Sequence, residues 1–212
     1  ARTGGSQYGA EGISLFLVDT SAEGVAVSSY NTMDSHSSST INLENVFVTE
    51  ANLIVEEGEG FRHIESCLPQ ILLCLSAEAL GIMEVLNKLT VEYSKTRKQF
   101  GAPIGSFQAL QHRMVDNFMA FEQSKSMVYR GICESTSFNK NDIDINQFLK
   151  TAHAVKALIA KNSKQIGDES IQIHGGIGMT DELNIGHFVK RLMMINVLFG
   201  DGDFHRQCFS QN

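Results

Sequence analysis

The chain has 212 residues, 42% of them hydrophobic, and a formal net charge of −7. That length holds one large domain, or one domain and part of another, with apolar content sufficient for a real core. The negative balance excludes a general nucleic-acid binder, which needs a basic face to neutralise phosphates, and gives no attraction to an acidic membrane surface.

Residues 1–56 read as the closing part of a β-domain. "GISLFLVD" (12–19) is a compact apolar run, and "GVAVSSY" (24–30) follows after a short turn. In "STINLENVFV" (39–48), Ile41 and Leu43 alternate with Asn42 and Glu44, and Val46 and Val48 follow. Such alternation, bounded by Gly, Ser, Asp and Asn, predicts half-buried antiparallel strands. Three strands cannot bury both faces alone, so a larger sheet is expected to precede them. The opening "ARTGGSQYGAEG" has no methionine, no charged leader and no apolar segment of a signal peptide. The chain is therefore expected to be a fragment of a longer, cytoplasmic protein. The longest apolar stretches carry polar interruptions within a turn or two, so no transmembrane span is expected.

From Gly58 the period becomes helical, and residues 57–212 read as one domain. The first helix is predicted over 60–98, with Leu72, Leu75, Ala79, Ile82, Leu86 and Leu89 at three- and four-residue steps. Pro69 should end a short preceding turn or kink this helix, because it cannot donate the backbone bond. The second is predicted over 106–134, with Phe107, Leu110, Met114, Val115, Phe118 and Phe121 on one side. "STSFNKNDIDIN" (135–146) reads as a polar loop ending in a helix start signal. The third helix spans 144–174 and the fourth 182–198, the latter carrying Leu183, Ile185, Phe188, Val189, Leu192 and Ile195. The fold class is thus mainly α: an up-down four-helix bundle preceded by a partial antiparallel β-domain.

Three stretches are denser in special residues than a bundle needs. In "YSKTRKQFGAPIGSFQALQHR" (93–113), Arg97 at a helix end precedes Gln99, Phe100 and a turn built on Gly101, Pro103 and Gly105. Such an arginine either holds a phosphate in a bidentate fork or complements the helix dipole in water. In "QIHGGIGMTDE" (172–182), Gly175, Gly176 and Gly178 either admit a ligand close to the backbone or form a helix C-cap and turn. A helix precedes them and no GK[ST] follows, so neither the Rossmann fingerprint nor a P-loop is present. The third, "LFGDGDFHR" (198–206), gathers Asp201, Asp203 and His205.

Other classes find less support. Cys67, Cys74, Cys133 and Cys208 show no CxxC spacing, so neither a zinc site nor a disulfide framework is expected, and a reducing compartment is the default. His112, His153, His174 and His187 lack the i, i+4 spacing of a helical zinc pair. No serine or cysteine has a nucleophile-elbow context.

"RKQFGAPIGSFQALQHRMVD" followed by "IQIHGGIGMTDE" closely resembles the C-terminal domain of acyl-CoA dehydrogenases. "GISLFLVDTSAEGVAV", "INLENVFVTEANLI" and "EGEGF" resemble the second half of that family's middle β-domain, so the resemblance covers nearly the whole chain. It implies an FAD enzyme that removes an α-proton from an acyl-CoA and passes a hydride from the β-carbon to the flavin. An electron-transferring flavoprotein is the implied acceptor, unless the protein is an oxidase that releases peroxide.

The same resemblance places Arg97, with Gln99 and Phe100, on the FAD pyrophosphate of a neighbouring subunit. Phe107 and Gln108 fall on the adenine side, and Gln172, Gly175 and Gly176 lie against the same cofactor. Asp201 and Asp203 fall where relatives contact the adenosine or pyrophosphate part. It implies dimers that share flavin sites, often paired into tetramers. The family's usual glutamate base corresponds to Phe199, and the alternative position on the first long helix falls near Ile71. Neither can accept a proton. Glu78 and Asp201 are the weak candidates left, and Arg191 reads as a packing or interface charge. Three expectations follow: a base from elsewhere in the protein, a base-less partner in a hetero-oligomer, or a non-catalytic structural or cofactor-binding subunit. The chain as given is expected to be inactive and to bind FAD weakly or not at all.

Overall fold

The computed structural model describes residues 1–211. The chain divides into two compact units, Ala1–Leu68 and the described residues from Pro69 onward.

In the first unit the antiparallel strands β1 (Val25–Asn31) and β2 (Ser37–Leu43) form a hairpin, with Val25 opposite Leu43 and Val27 opposite Ile41. The run over 12–19 is not the strand its apolar composition predicts. It makes isolated bridges from Ile13 to Arg2 and Glu59 and from Phe16 to Leu53. Its backbone partners lie at the end of a 3₁₀ turn (Glu50–Asn52) and just after it: Leu17 N–H donates to the Asn52 carbonyl at 2.8 Å and Ile54 N–H to that of Leu15 at 2.9 Å. Without a straight neighbour a compact apolar run cannot extend into a ladder. The strand predicted over 39–48 likewise ends at Leu43.

The second unit is the bundle. Helix α1 (Gly60–Thr96) begins in the first unit and continues through Pro69, which lies inside it and does not end it. Then follow a small ribbon of β3 (Lys98–Gln99) and β4 (Ala102–Pro103), α2 (Gln108–Asn139), α3 (Ile145–His174) and α4 (Ile185–Val197). A fifth helix, α5 (Gly202–Gln211), was not predicted. The predicted helix start before α3 is present: the Asp144 carboxylate accepts the Gln147 N–H at 2.8 Å. The predicted loop at 135–146 is shorter than expected, because α2 runs on to Asn139. Phe138 explains the extension, for its ring packs 5.5 Å from that of Phe148 on α3.

Leu73, Ala79, Met83 and Leu86 of α1 join Phe121 and Val128 of α2, Phe148, Val155, Ile159 and Ile166 of α3, and Val189, Leu192 and Ile195 of α4 in one core. Buried polar groups tie the helices at chosen points. Asn162 of α3 donates to the Ala120 carbonyl at 3.0 Å and to Ser124 Oγ at 2.9 Å; nearer the surface, half-buried Arg113 pairs with Glu169. Contrary to the sequence expectation, α1 is long and apolar enough to cross a membrane, with a window of mean hydropathy 1.5. Its burial is one-sided, however: Leu72, Ser76, Ala79, Met83, Leu86 and Thr90 are buried while Cys74, Glu78, Glu84 and Lys88 are exposed. That is the pattern of a core helix in a bundle.

Candidate functional site

Two of the three special stretches meet at one end of the bundle. Tyr93, in the last turn of α1, stacks on His174, the last residue of α3, with ring centroids 4.4 Å apart and planes 26° apart. The Tyr93 hydroxyl donates to the His174 carbonyl at 3.3 Å, and His174 Nδ1 donates to the Ser170 carbonyl at 2.7 Å. Burial holds the His174 imidazole below its ordinary pKa, opposed by that carbonyl, so it is neutral at pH 7. Arg97 follows one turn beyond Tyr93, and Gly175 is the residue after His174. Sequence reasoning missed both aromatic residues as a pair. Each flanks a motif, but they stand 81 residues apart, and no local pattern joins them.

The first turn is a two-residue hairpin. Phe100 (φ 53°) and Gly101 (φ 81°) are both left-handed, as a tight type I′ connection between β3 and β4 requires. This conformation projects Phe100 into solvent, 93% exposed, with its ring edge-on to Phe107 at 6.2 Å. Arg97 is exposed and has no carboxylate partner among the described residues; its backbone anchors the turn, receiving Ile104 N–H at 2.8 Å. Gly105 is required by packing: a Cβ there would stand 2.9 Å from Ser94 Oγ. Gln99 and Gln108 are exposed on either side.

The second turn is the helix C-cap that the sequence allowed. Gly175 (φ 66°) caps α3, its N–H returning to the Gln172 and Ile171 carbonyls, and a 3₁₀ turn continues to Met179. A helix N-terminus does not follow the glycines directly, since α4 opens only at Ile185. A Cβ on Gly175 or Gly176 would meet nothing within 4 Å. The backbone of this turn is therefore open to an incoming group. An unpaired arginine, two exposed phenylalanines and open glycine backbone fit a ligand that is anionic in one part and aromatic in another.

The third stretch lies elsewhere. The start of α5, just after the Phe199–Asp201 turn, packs on α3 near Ala160, where a Cβ on Gly202 would come within 3.0 Å. That is roughly 20 Å along the α3 axis from His174. The three groups that looked like one cluster are dispersed. The Asp201 carboxylate caps α5 by accepting Phe204 N–H at 2.8 Å, Asp203 pairs with Arg206 at the surface, and His205 is fully buried against His153. Phe199 is 54% exposed with φ 58°, so an apolar ring in a left-handed turn occupies the position that the family resemblance assigns to a base. Glu78 is gripped by Arg191 of α4, Nε to Oε1 at 2.6 Å and Nη2 to Oε2 at 2.8 Å. A carboxylate held in that fork is a poor proton acceptor.

Residues 58–212 match the model of the acyl-CoA dehydrogenase C-terminal domain. The chain belongs to the acyl-CoA dehydrogenase family. It is 30% identical over 210 residues to a probable acyl-CoA dehydrogenase, YngJ, of Bacillus subtilis, covering 97% of this chain and 53% of that one. It is 29% identical over 207 residues to a 3-(aryl)acrylate reductase of Clostridium sporogenes, over 96% and 53% of the two chains. Among solved structures, the FAD complex of PigA superposes with a TM-score of 0.84 at 27% identity, over 100% of this chain and 54% of that one. Butyryl-CoA dehydrogenase of Megasphaera elsdenii shares the fold, with a TM-score of 0.85 at 24% identity over 98% and 53%. The chain thus spans about half the length of the relatives it matches.

Proposed function

We propose that this chain is the C-terminal part of an FAD-dependent subunit that takes part in α,β-desaturation of an acyl-CoA thioester. The observation that carries the reading is the Tyr93–His174 contact, which brings together the ends of the two helices that lead into the arginine turn and the open glycine turn. Its support from relatives is that PigA has been solved in complex with FAD. When bound, FAD supplies the hydride acceptor of such a reaction.

The chain's own residues then bind and orient. Arg97 offers a planar fork to a pyrophosphate, with Gln99 as a further donor. Gly175 and Gly176 let the backbone approach, and Gln172 lies one turn before them. Phe100 and Phe107 present aromatic faces on the adenine side, next to Gln108. Asp201 and Asp203, some distance along α3, serve α5 first; any contact they make is with ribose hydroxyls or water, because carboxylates repel a pyrophosphate. The surface faces outward from the bundle, which suits a cofactor held between subunits of a dimer or tetramer. An electron-transferring flavoprotein is the acceptor in this reading.

Phe199 cannot remove the α-proton, and Glu78 is committed to Arg191. The reading therefore assigns this subunit the base-less role in a hetero-oligomer, its sister supplying the proton acceptor. Phe199 also favours one alternative, a subunit that holds cofactor or structure without chemistry. The full-length gene product, purified with its sister subunit, should be yellow and should reduce an artificial acceptor when given acyl-CoA. A colourless, inactive complex contradicts the proposal. A yellow complex that never turns over any acyl-CoA selects the alternative.

A further inference from the structure

We propose that His153 and His205 form a one-proton lock that holds α5 and the Phe199–Gly200 turn against α3, and that acid opens it. The two Nδ1 atoms are 2.8 Å apart, with ring centroids at 5.0 Å, and the residues are 4% and 0% exposed. A hydrogen bond between two imidazole nitrogens needs one N–H and one lone pair. One added proton leaves an imidazolium that still donates to its neighbour's lone pair; a second places N–H on both Nδ1 atoms, and two cations then face each other at contact distance in a buried site.

The surroundings oppose that second proton. Lys156, on α3 and fully buried, lies one turn from His153, and its ammonium donates to the Ile195 carbonyl of α4 at 2.5 Å. The Asp201 carboxylate, in the turn before α5, acts on Lys156 and raises its proton affinity, but burial outweighs it and brings Lys156 down to about 8. Lys156 is thus still the cation of this pocket at neutral pH. The remaining charges of α5, Asp203 and Arg206, pair with each other at the surface. His205 Nε2 is buried without a hydrogen-bond partner among the described residues, against Gly200. Burial first, then the charges of His153 and Lys156, press His205 down to about 4, against the pull of the Gly200 and Phe199 carbonyls. Burial also lowers His153.

The direction follows from linkage. A released α5 would expose imidazoles of ordinary affinity, which bind protons near pH 6.5, whereas docked His205 resists its proton to about pH 4 and docked His153 is likewise lowered by burial. Docking is therefore at full strength above about pH 6.5 and weakens as pH falls through that interval. The turn that bears Phe199 would be loosened by the same event, because it is the connection into α5.

Hydrogen exchange of the 212-residue chain tests this between pH 7.5 and 4.5, with intrinsic rates corrected. Protection in residues 200–211 should fall at least about tenfold as the pH drops through 6.5 to 4.5, while α2 keeps its protection. His205→Gln, which keeps a donor and an acceptor but cannot titrate, should hold α5 protection level across the range. Constant protection in the wild type, or the same fall in the variant, would overturn the proposal. Should that variant not fold, imidazole ¹⁵N shifts of the wild type decide. Both rings remaining untitrated above pH 6 supports the lock, and either ring titrating at 6.5 or higher refutes it.

Discussion

Tyr93 stacks on His174 at 4.4 Å and donates its hydroxyl to the same residue's carbonyl, bridging the end of α1 to the end of α3. One side chain thereby fixes the spacing of two turns that are far apart in sequence. Tyr93→Phe keeps the ring and loses one half-buried hydrogen bond, so it should cost about 0.5–1 kcal/mol. Tyr93→Ala also loses the stacking and should cost about 2–3 kcal/mol. Urea denaturation of the two variants checks the order; equal effects would mean that the stacking contributes nothing.

The two glycines after His174 should respond differently. Gly175 has φ 66°, so Gly175→Ala forces an L-residue into the left-handed region and should cost about 1–2 kcal/mol. Gly176 is not in that region and its Cβ would meet open space. Gly176→Ala should leave the melting temperature of the chain unchanged within about 1 °C, yet lower flavin retention in the full-length assembly. Normal flavin content in that variant would show that the open backbone faces solvent and not a cofactor.

Glu78 and Arg191 provide a test of roles. Their bidentate pair is partly exposed, so Glu78→Gln should lower stability by about 0.5–1 kcal/mol. Acyl-CoA turnover by the full-length complex should stay within about threefold of wild type. A loss of several hundredfold with stability intact would instead identify Glu78 as the proton acceptor.

Three buried histidines, His153, His174 and His205, all have proton affinities lowered mainly by burial. Unfolding raises them to ordinary values, so the unfolded chain binds more protons below about pH 6.5. Stability should be flat from pH 7.5 to 6.5 and then decline toward pH 4, by roughly 3 kcal/mol from His205 alone. Melting temperatures at pH 7.5, 6.0 and 5.0 follow this. A stability that rises on acidification contradicts the burial of these rings in neutral form.

The helical half was legible because apolar residues recur at three- and four-residue steps along α1, α3 and α4, and because Asp144 caps α3 as its position promises. Helix α5 escaped notice because "GDFHRQCFSQ" is short, and its buried face consists chiefly of a histidine that only His153, 52 residues away, explains. The apolar run at 12–19 misled because strand composition does not supply a strand partner. At the site, the motifs were visible but not their assembly. Arg97 and Gly175 could each be named, whereas the Tyr93–His174 stack that joins the helix ends before them is a tertiary contact. The opposite error occurred at 198–206, where closeness in sequence suggested a cluster and the start of α5 sends Asp201, Asp203 and His205 in different directions.

Whether the arginine turn holds the cofactor, as proposed, is measured most directly by the FAD dissociation constant of the full-length protein with and without Arg97→Ala. Because Arg97 is exposed and pairs with no carboxylate among the described residues, the substitution should leave the melting temperature of the flavin-free protein unchanged. Loss of a charge-assisted fork to a pyrophosphate should weaken FAD binding about 10- to 100-fold. An unchanged dissociation constant in a stable variant would contradict the account.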